Sequence, residues 1–232
     1  MPTDSNQSNS TAPVNPLPPV VIALALAVAL PELLFTFAAQ GWLADELLSL
    51  RTSAAEVFGF FIARVDWMIE AGTLRLAYLW PFFTYPFVQA EFMQAIFVAV
   101  FVLALGKMIA EALGQSAVLV IFFGGSVLGA LVYAAISDSQ IPLFGGYPGA
   151  FALIGAFSFT LWQRLRVSGG QVRQAFGLFG LFTFILIGYG VFLSPGIVWI
   201  AQLVGLWVGF LIAYPFYPGN WSRILNRIRA RG

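Results

Sequence analysis

Two residue types are missing from this chain of 232 residues, cysteine and histidine. Without cysteine the chain can form no disulfide, no thiolate nucleophile and no cysteine-ligated metal site. Without histidine it lacks the side chain that most often serves as a general base near neutral pH, and also the commonest metal ligand. Much enzyme chemistry is thereby excluded, and the sequence predicts neither a metal site nor a cofactor.

Charged residues are also scarce, at 9% of the chain, whereas hydrophobic residues make up 60%. A soluble domain carries about 25% charged residues, so this composition cannot cover a water-facing surface. Lipid is therefore expected to be the main solvent, and the lipid bilayer is the first predicted partner. The formal net charge of +1 gives no electrostatic argument for binding nucleic acid, and none is predicted as a partner.

Apolar runs near the length of about 20 residues that crosses a bilayer as a helix recur along the sequence. They predict an all-α, polytopic membrane protein with six transmembrane helices. The fourth and fifth runs are short for a full crossing. The predicted spans are Pro19–Gln40, Thr84–Ile109, Ala117–Ser137, Tyr147–Trp162, Phe176–Leu193 and Gly196–Phe216.

Three other segments flank or interrupt the membrane domain, which is predicted to cover residues 19–216. Residues 1–18 are rich in Ser, Asn, Thr and Pro and are predicted to be a disordered tail. Residues 41–83 mix charged with apolar residues at helical spacing, which is typical of amphipathic helices in the membrane interface. Residues 217–232 form a basic tail. No Lys or Arg precedes Arg51, so the first apolar run is expected to be a retained span.

The basic residues predict how the chain crosses the membrane. With six spans, the second-to-third connection, the fourth-to-fifth connection and the C-terminal tail lie on one side, which the positive-inside rule assigns to the cytoplasm. We therefore expect a multi-pass protein of a bacterial-type inner membrane with both termini cytoplasmic. The 41–83 segment and the loop at Asp138 would face the other side. The basic residues concerned are Lys107, Arg164, Arg166, Arg173, Arg223, Arg227, Arg229 and Arg231.

Three stretches of the sequence combine small and polar residues with a transmembrane composition. They are TYPFVQAEFMQAIFVAVFVLALGKMIAEALG, LFGGYPGAFALIGAF and WIAQLVGLWVGFLIA. In this order they resemble three motifs of the rhomboid family of intramembrane serine proteases. These are the loop leading into the second helix, the surroundings of the catalytic serine, and the sixth-helix motif Ala-His-x-x-Gly-x-x-x-Gly. The resemblance covers residues 80–213 and implies a six-helix core with a large membrane-embedded first loop.

The family's functional positions hold other residue types in this chain. The resemblance places Gln89, Gln94 and Val98 where the family has two histidines and an asparagine, of which the second histidine and the asparagine supply oxyanion donors. Gln202 takes the place of the catalytic histidine. A Gln94 amide can still donate a hydrogen bond, whereas a Val98 side chain cannot.

Two adjacent residues can be aligned with the family's catalytic serine. Counting from the upstream glycines places it at Pro148, whereas counting back from Gly155 places it at Tyr147. With Tyr147 in the serine position, Phe151 takes the place of an aromatic residue that packs on the family's histidine. Neither alignment supplies a serine, so the expectation about chemistry is the same for both.

Losing nucleophile and base together predicts a protein that is not an enzyme, because the Gln202 amide has no basicity near neutral pH. The resemblance then favours a rhomboid-like pseudoprotease that binds transmembrane segments of integral membrane proteins without cutting them. One alternative is a divergent active rhomboid protease. Another is a small-solute transporter, which the scarcity of intramembrane charge and the lack of an inverted repeat disfavour.

Several further residues are candidates for a role in binding a partner. Glu32 lies inside the first span, where an ionisable side chain is costly; alternatively, Pro31 ends the helix and Glu32 reaches the outer interface. The fifth span is rich in phenylalanine, and we considered Phe179, Phe182 and Phe184 either as a surface for a client helix or as lipid-facing residues.

Small residues and a serine inside the spans have simpler explanations. The pairs Gly125/Gly129 and Gly205/Gly209 are spaced for close helix packing. Ser126 is expected to bond the carbonyl four residues before it.

Overall fold

The computed structural model describes residues 16–44, 47–137, 141–194 and 196–220. In that part of the chain every regular element is a helix, apart from an isolated antiparallel bridge between Phe60 and Leu143. The all-α fold class is therefore confirmed. Residues 1–15 and 221–232 of the two predicted tails, and the loop at Asp138, lie outside the described residues.

Long helices form the bundle, and short helices fill the connection between the first two long ones. The long helices are α1 (Pro19–Ala39), α6 (Phe92–Leu113), α7 (Gln115–Ile136), α8 (Tyr147–Ser168), α9 (Ala175–Phe192) and α10 (Val198–Phe216). The short ones are α2 (Leu50–Phe58), α3 (Ile62–Glu70), α4 (Leu76–Leu79) and α5 (Pro81–Thr84), with 3₁₀ turns at Tyr85–Phe87 and Val172–Gln174.

Five of the long helices, all except α8, are long and apolar enough to cross a membrane. α8 has 22 residues but is less apolar, since Gln163, Arg164 and Arg166 lie in its last two turns. It contacts α6, α7, α9 and α10, so other helices rather than lipid cover most of its surface. A helix shielded in this way does not need a continuous apolar surface.

Glycines let α7 and α10 approach α8 at backbone distance. A Cβ atom at Gly205 would overlap the Pro148 carbonyl, and one at Gly209 would overlap the Ala152 carbonyl. On α7, a Cβ at Gly125 would overlap the Ala152 side chain. Lipid provides no hydrophobic drive between helices, so close van der Waals contact is what holds them together. The packing role expected for these glycines is confirmed.

α1 joins the bundle through α6, and α6 turns directly into α7. Val21 of α1 packs on Gly106, whose Cβ would lie 3.2 Å from the valine side chain. The connection between α6 and α7 is the single residue Gly114, with φ of 96°, a conformation that residues with a Cβ rarely adopt.

The second span begins later than predicted. Its apolar run was expected to be helical from Thr84, but the long helix starts only at Phe92. Pro81 and Pro86 divide the preceding residues into two separate turns, and Glu91 is extended, with φ of −153° and ψ of 160°. Proline restricts the backbone before and at its own position, which a count of apolar residues does not detect.

The fourth span is longer than predicted, and two basic positions shift with it. Polar residues after Trp162 end the apolar run, but α8 continues to Ser168 and ends at Gly169, whose φ is 72°. Arg164 and Arg166 therefore lie in the last two turns of the helix and not in the connection. Lys107 likewise lies within α6, seven residues before Gly114. α6 ends at Leu113, four residues later than the predicted Ile109, and the other predicted span ends agree with the helices to within two residues.

The glycine contact between α8 and α10 is tested by a matched pair of alanine substitutions. Gly209→Ala is expected to lower the free energy of unfolding by about 1–3 kcal/mol, because the backbone of Ala152 cannot move away from the new methyl group. Gly180→Ala on α9 is the control, since nothing lies within 4 Å of the position that a Cβ would take there. Steric trapping in lipid micelles measures both, and equal stability of the two variants would contradict the packing account.

Candidate functional site

The residues at the predicted serine position lie at the N-terminus of α8, behind a loop that contains two adjacent glycines. Gly145 has φ of 98°, and its N–H donates to the Tyr85 carbonyl at 3.0 Å. The Gly146 N–H donates to Gln89 Oε1 at 3.1 Å. This loop, called the glycine loop below, consists of Gly145 and Gly146. It is held by residues 85–91, and its two N–H groups point into the protein.

Gln89 connects two segments of the protein through its side-chain amide. Its side chain is fully buried. The Oε1 atom accepts from Gly146, and Nε2 donates to the Pro86 carbonyl at 2.6 Å. Both ends of the amide are therefore used in joining the segment before α6 to the start of α8.

Gln94 and Val98 complete the same contact from the first turns of α6. Gln94 Oε1 accepts from the Ala90 N–H at 2.8 Å, which satisfies a donor ahead of the helix. A Cβ on Gly145 would overlap the Gln94 amide, and one on Gly146 would overlap the Val98 side chain. The three positions that the resemblance singled out are brought together at the glycine pair.

Pro148 and Tyr147, the two candidates for the serine position, point to different neighbours. Pro148 is buried, with its ring against Gly129 of α7 and its carbonyl against Gly205 of α10. Tyr147 is half-buried and packs edge-on to Phe151, with ring centroids 6.2 Å apart. Pro148 therefore contacts α7 through its side chain and α10 through its backbone.

Gln202 lies one turn before Gly205 on α10, so the two residues share one side of the helix. Its side chain is half-buried. Gln202 is the one glutamine of the three predicted at the site that is not buried, because Gln89 and Gln94 are both enclosed.

Glu32 forms a buried ion pair that ties the interfacial connection to α1. The carboxylate is 1% exposed, and Arg51 of α2 approaches it with Nη2 at 2.7 Å from Oε1 and Nη1 at 3.0 Å from Oε2. The Thr36 hydroxyl donates to Oε1 at 3.1 Å. Pro31 does not end α1, which continues to Ala39. Glu32 is thus bound to groups of its own chain, and its role in binding a partner stays a prediction.

Arg51 extends the ion pair to the glycine loop. Its Nη1 also donates to the backbone carbonyl of Gln89 at 2.9 Å. A continuous polar chain therefore runs from Glu32 through Arg51 and Gln89 to Gly146. The sequence analysis grouped Arg51 with the other charged residues of the 41–83 segment and missed this role. A carboxylate within a span is usually paired with a cation, and Arg51 is the first basic residue of the chain, so the sequence contained a signal for this pair.

The phenylalanines proposed for partner binding differ in position. Phe179 is 7% exposed and packs on Trp207 and Phe210 of α10, with ring centroids 5.0 and 5.4 Å away. Phe179 is therefore a core residue in this structure, and its contact with a partner stays a prediction. Phe182 is half-buried, and Phe184 is 77% exposed on the outer side of α9.

Phe182 closes the seam between α6, α8 and α9. Its ring lies 6.0 Å from Phe101 of α6 and 5.5 Å from Phe151 of α8, both edge-to-face. Through Phe151, this aromatic row reaches Tyr147 at the start of α8.

Ser126 behaves as expected, since its hydroxyl donates to the Phe122 carbonyl at 2.9 Å. The Ser126 carbonyl in turn accepts from the buried Tyr85 hydroxyl at 2.8 Å. Burial raises the pKa of the Tyr85 phenol, so this group stays neutral and acts as a donor that fixes the turn at residues 85–87 to α7. Within the described residues no group of three Asp or Glu side chains could hold a metal ion.

The family model described as the Rhomboid domain matches residues 76–219. That range contains the glycine loop, α6–α10 and every position identified from the resemblance, but neither Glu32 nor Arg51. No curated protein matches the chain.

A double-mutant cycle tests the ion pair. Arg51→Gln leaves the Glu32 carboxylate buried without its cation, and we expect a loss of about 3–5 kcal/mol of unfolding free energy. Glu32→Gln should cost less, because the Arg51 side chain is 29% exposed and can turn to solvent. The double variant should lose less than the sum of the two single changes.

Arg64→Gln is the control for removing an arginine from the same connection. Its guanidinium donates to the exposed Glu56 carbonyl, so the loss should stay near 1 kcal/mol. Strictly additive losses for Glu32→Gln and Arg51→Gln would contradict a coupled pair.

Proposed function

Because the chain belongs to the rhomboid family, whose members are normally serine proteases, we propose that it is a rhomboid pseudoprotease that holds transmembrane segments of other membrane proteins without cutting them. Orientation follows the basic residues, with both termini in the cytoplasm of a bacterial-type cell and the protein in its inner membrane. The two parts of this proposal, that the protein does not cleave peptides and that it binds partners, are supported by different observations.

The observation that carries the proposal is the pair of residues at the α8–α10 contact. We assign Pro148 to the position of the family's serine because its backbone contacts α10, and its side chain has no nucleophilic atom. Gln202, at the position of the histidine, has no basic group, and no histidine exists in the chain to replace it. Peptide cleavage by the family's mechanism needs both a nucleophile and a base.

The donors around the glycine loop are committed to internal contacts. The Gly145 N–H is bonded to the Tyr85 carbonyl, and the Gly146 N–H is bonded to Gln89 Oε1. Val98 fills the space beside Gly146 with an apolar side chain. Stabilising a developing oxyanion requires donors already aimed at it in the resting enzyme, and this loop instead uses its donors to hold its own conformation.

The surface best suited to a client helix is the outer side of α9. Only Ala175, Phe179 and Leu186 of this helix are buried, so α9 is held less firmly than the other long helices. The seam toward α6 is closed by the contact of Phe182 with Phe101. A client helix that displaces this contact gains aromatic packing from α9 and reaches the half-buried Gln202 amide, which can satisfy a polar group that lipid cannot.

Restoring the two catalytic side chains tests the lack of activity. The variant Pro148→Ser/Gln202→His is expected not to cleave a rhomboid model substrate, since the missing donor at Val98 alone costs about 100- to 1000-fold in rate. Tyr147→Ser/Gln202→His is the comparison, because Tyr147 is the other candidate for the serine position and packs on Phe151. An active rhomboid protease in the same detergent is the control.

Labelling of either variant by a serine-reactive fluorophosphonate without turnover would agree with the proposal. Turnover within about tenfold of the active control would show that the cavity is still built for catalysis. Cleavage by the unmodified chain would establish a divergent active protease.

Partner binding is tested by photo-crosslinking in native membranes. A benzophenone amino acid at Phe184 should capture another membrane protein, with the crosslink mapped by mass spectrometry to one of its transmembrane segments. The matched control is the same residue at Leu211 of α10, which is 65% exposed on another side of the bundle. Capture at Leu211 but not at Phe184, or equal capture at both, would contradict α9 as the binding surface.

A further inference from the structure

A cleft of about 440 Å³ opens where α8 and α10 end, at the opposite end of α8 from the glycine loop. Its volume lies in the range of small-molecule sites, about 300–1,000 Å³. Both polar and aromatic side chains line it: Trp162, Gln163 and Arg166 on α8, and Tyr214, Tyr217 and Asn220 at and after the end of α10.

Arg166 gives this cleft an uncompensated positive charge. Its guanidinium lies over the Trp162 ring, 5.7 Å from the centroid, and is exposed. Across the described residues it has no carboxylate partner, whereas Arg51, which lines a second cleft, is neutralised by Glu32. A cation held against an aromatic ring keeps its N–H groups free to bind an anion.

The rest of the cleft is preorganised by the turn after α10. Asn220 is buried, and its Nδ2 donates to the Tyr214 carbonyl at 3.0 Å. This bond fixes the chain that carries Tyr217, whose hydroxyl and the Gln163 amide are further donors on the cleft wall. Tyrosine and tryptophan at helix ends suit the level of the lipid headgroups.

We propose that this cleft binds the phosphate of an anionic phospholipid, with Arg166 as the cation and Tyr217 and Gln163 as hydrogen-bond donors. A lipid is favoured over a soluble anion because the apolar Val167 side chain on the rim is 80% exposed, which provides a surface for the acyl chains. The basic residues assign this end to the cytoplasmic leaflet, where anionic lipids attract cationic side chains. The inference is independent of the proposed pseudoprotease function.

Native mass spectrometry of the full-length protein in detergent tests the site with three probes. Phosphatidylglycerol should remain bound, and phosphatidylcholine and inorganic phosphate should bind much more weakly. Arg166→Gln is expected to lower the affinity for phosphatidylglycerol about fivefold, as for the loss of one cation at a membrane surface.

Arg164→Gln is the matched control. It removes the same charge from the same helix end, but Arg164 lines a different cavity with Met108 and Phe157, so the affinity should change less than about twofold. In a second variant, Val167→Trp, the enlarged side chain narrows the cleft while Arg166 is kept, and lipid retention should fall.

Equal losses for Arg164→Gln and Arg166→Gln would overturn the site in favour of a diffuse attraction between charges and lipid. If phosphatidylcholine is retained as well as phosphatidylglycerol, the site does not recognise the negative charge of the lipid. Displacement of phosphatidylglycerol by inorganic phosphate would overturn the assignment to a lipid. Circular dichroism and gel filtration of each variant keep a loss of folding distinct from a loss of binding.

Discussion

The buried ion pair between Glu32 and Arg51 is the constraint on which the outer half of the molecule depends. A charge placed at this depth in a helix bundle is costly unless it is paired and hydrogen-bonded. Here the carboxylate receives Arg51 and Thr36, and Arg51 passes one further bond to the Gln89 carbonyl. The pair therefore determines where α2 lies on α1 and where the segment before α6 meets both helices.

The position of the segment before α6 in turn determines the conformation of the glycine loop at the start of α8. Once its backbone is held by Arg51, Gln89 can bridge Pro86 and Gly146 with the two ends of its amide. The glycine loop is then fixed without any catalytic hydrogen bond. A protein that must open its site to a peptide needs such contacts to be exchangeable, whereas one that keeps the fold without the chemistry can use them as permanent braces. The polar chain thus favours a structural over a catalytic use of these positions.

The sequence predicted the parts of this structure that depend on local composition or on a motif. Apolar run lengths located the long helices, and the resemblance brought Gln89, Gln94 and Val98 to one place, where the structure has them around Gly145 and Gly146. It did not predict the Arg51 partner of Glu32, because that contact joins residues 19 positions apart in segments whose relative placement depends on tertiary packing.

Errors at the helix ends have a related cause. The apolar run before Phe92 contains prolines that interrupt the helix, and α8 continues past Trp162 although its residues become polar. Hydropathy reports contact with lipid, while a helix end is set by backbone hydrogen bonds and by capping residues. Phe179 and Phe184 were indistinguishable in sequence for the same reason, since only packing shows which one faces α10 and which one faces outward.

The two ends of the bundle use cations in different ways, and this difference bears on how such a protein works. At the end that carries the glycine loop, Arg51 is bound to an internal carboxylate and to the Gln89 carbonyl, which rigidifies that loop. At the other end Arg166 rests on Trp162 with no carboxylate beside it within the described residues. α8 runs between them, packed against α7 and α10 through glycine contacts that leave little room for sliding. With α8 fixed in this way, α9 is the long helix with the fewest buried residues, so movement that admits a client helix would occur there and would leave the site loop unchanged.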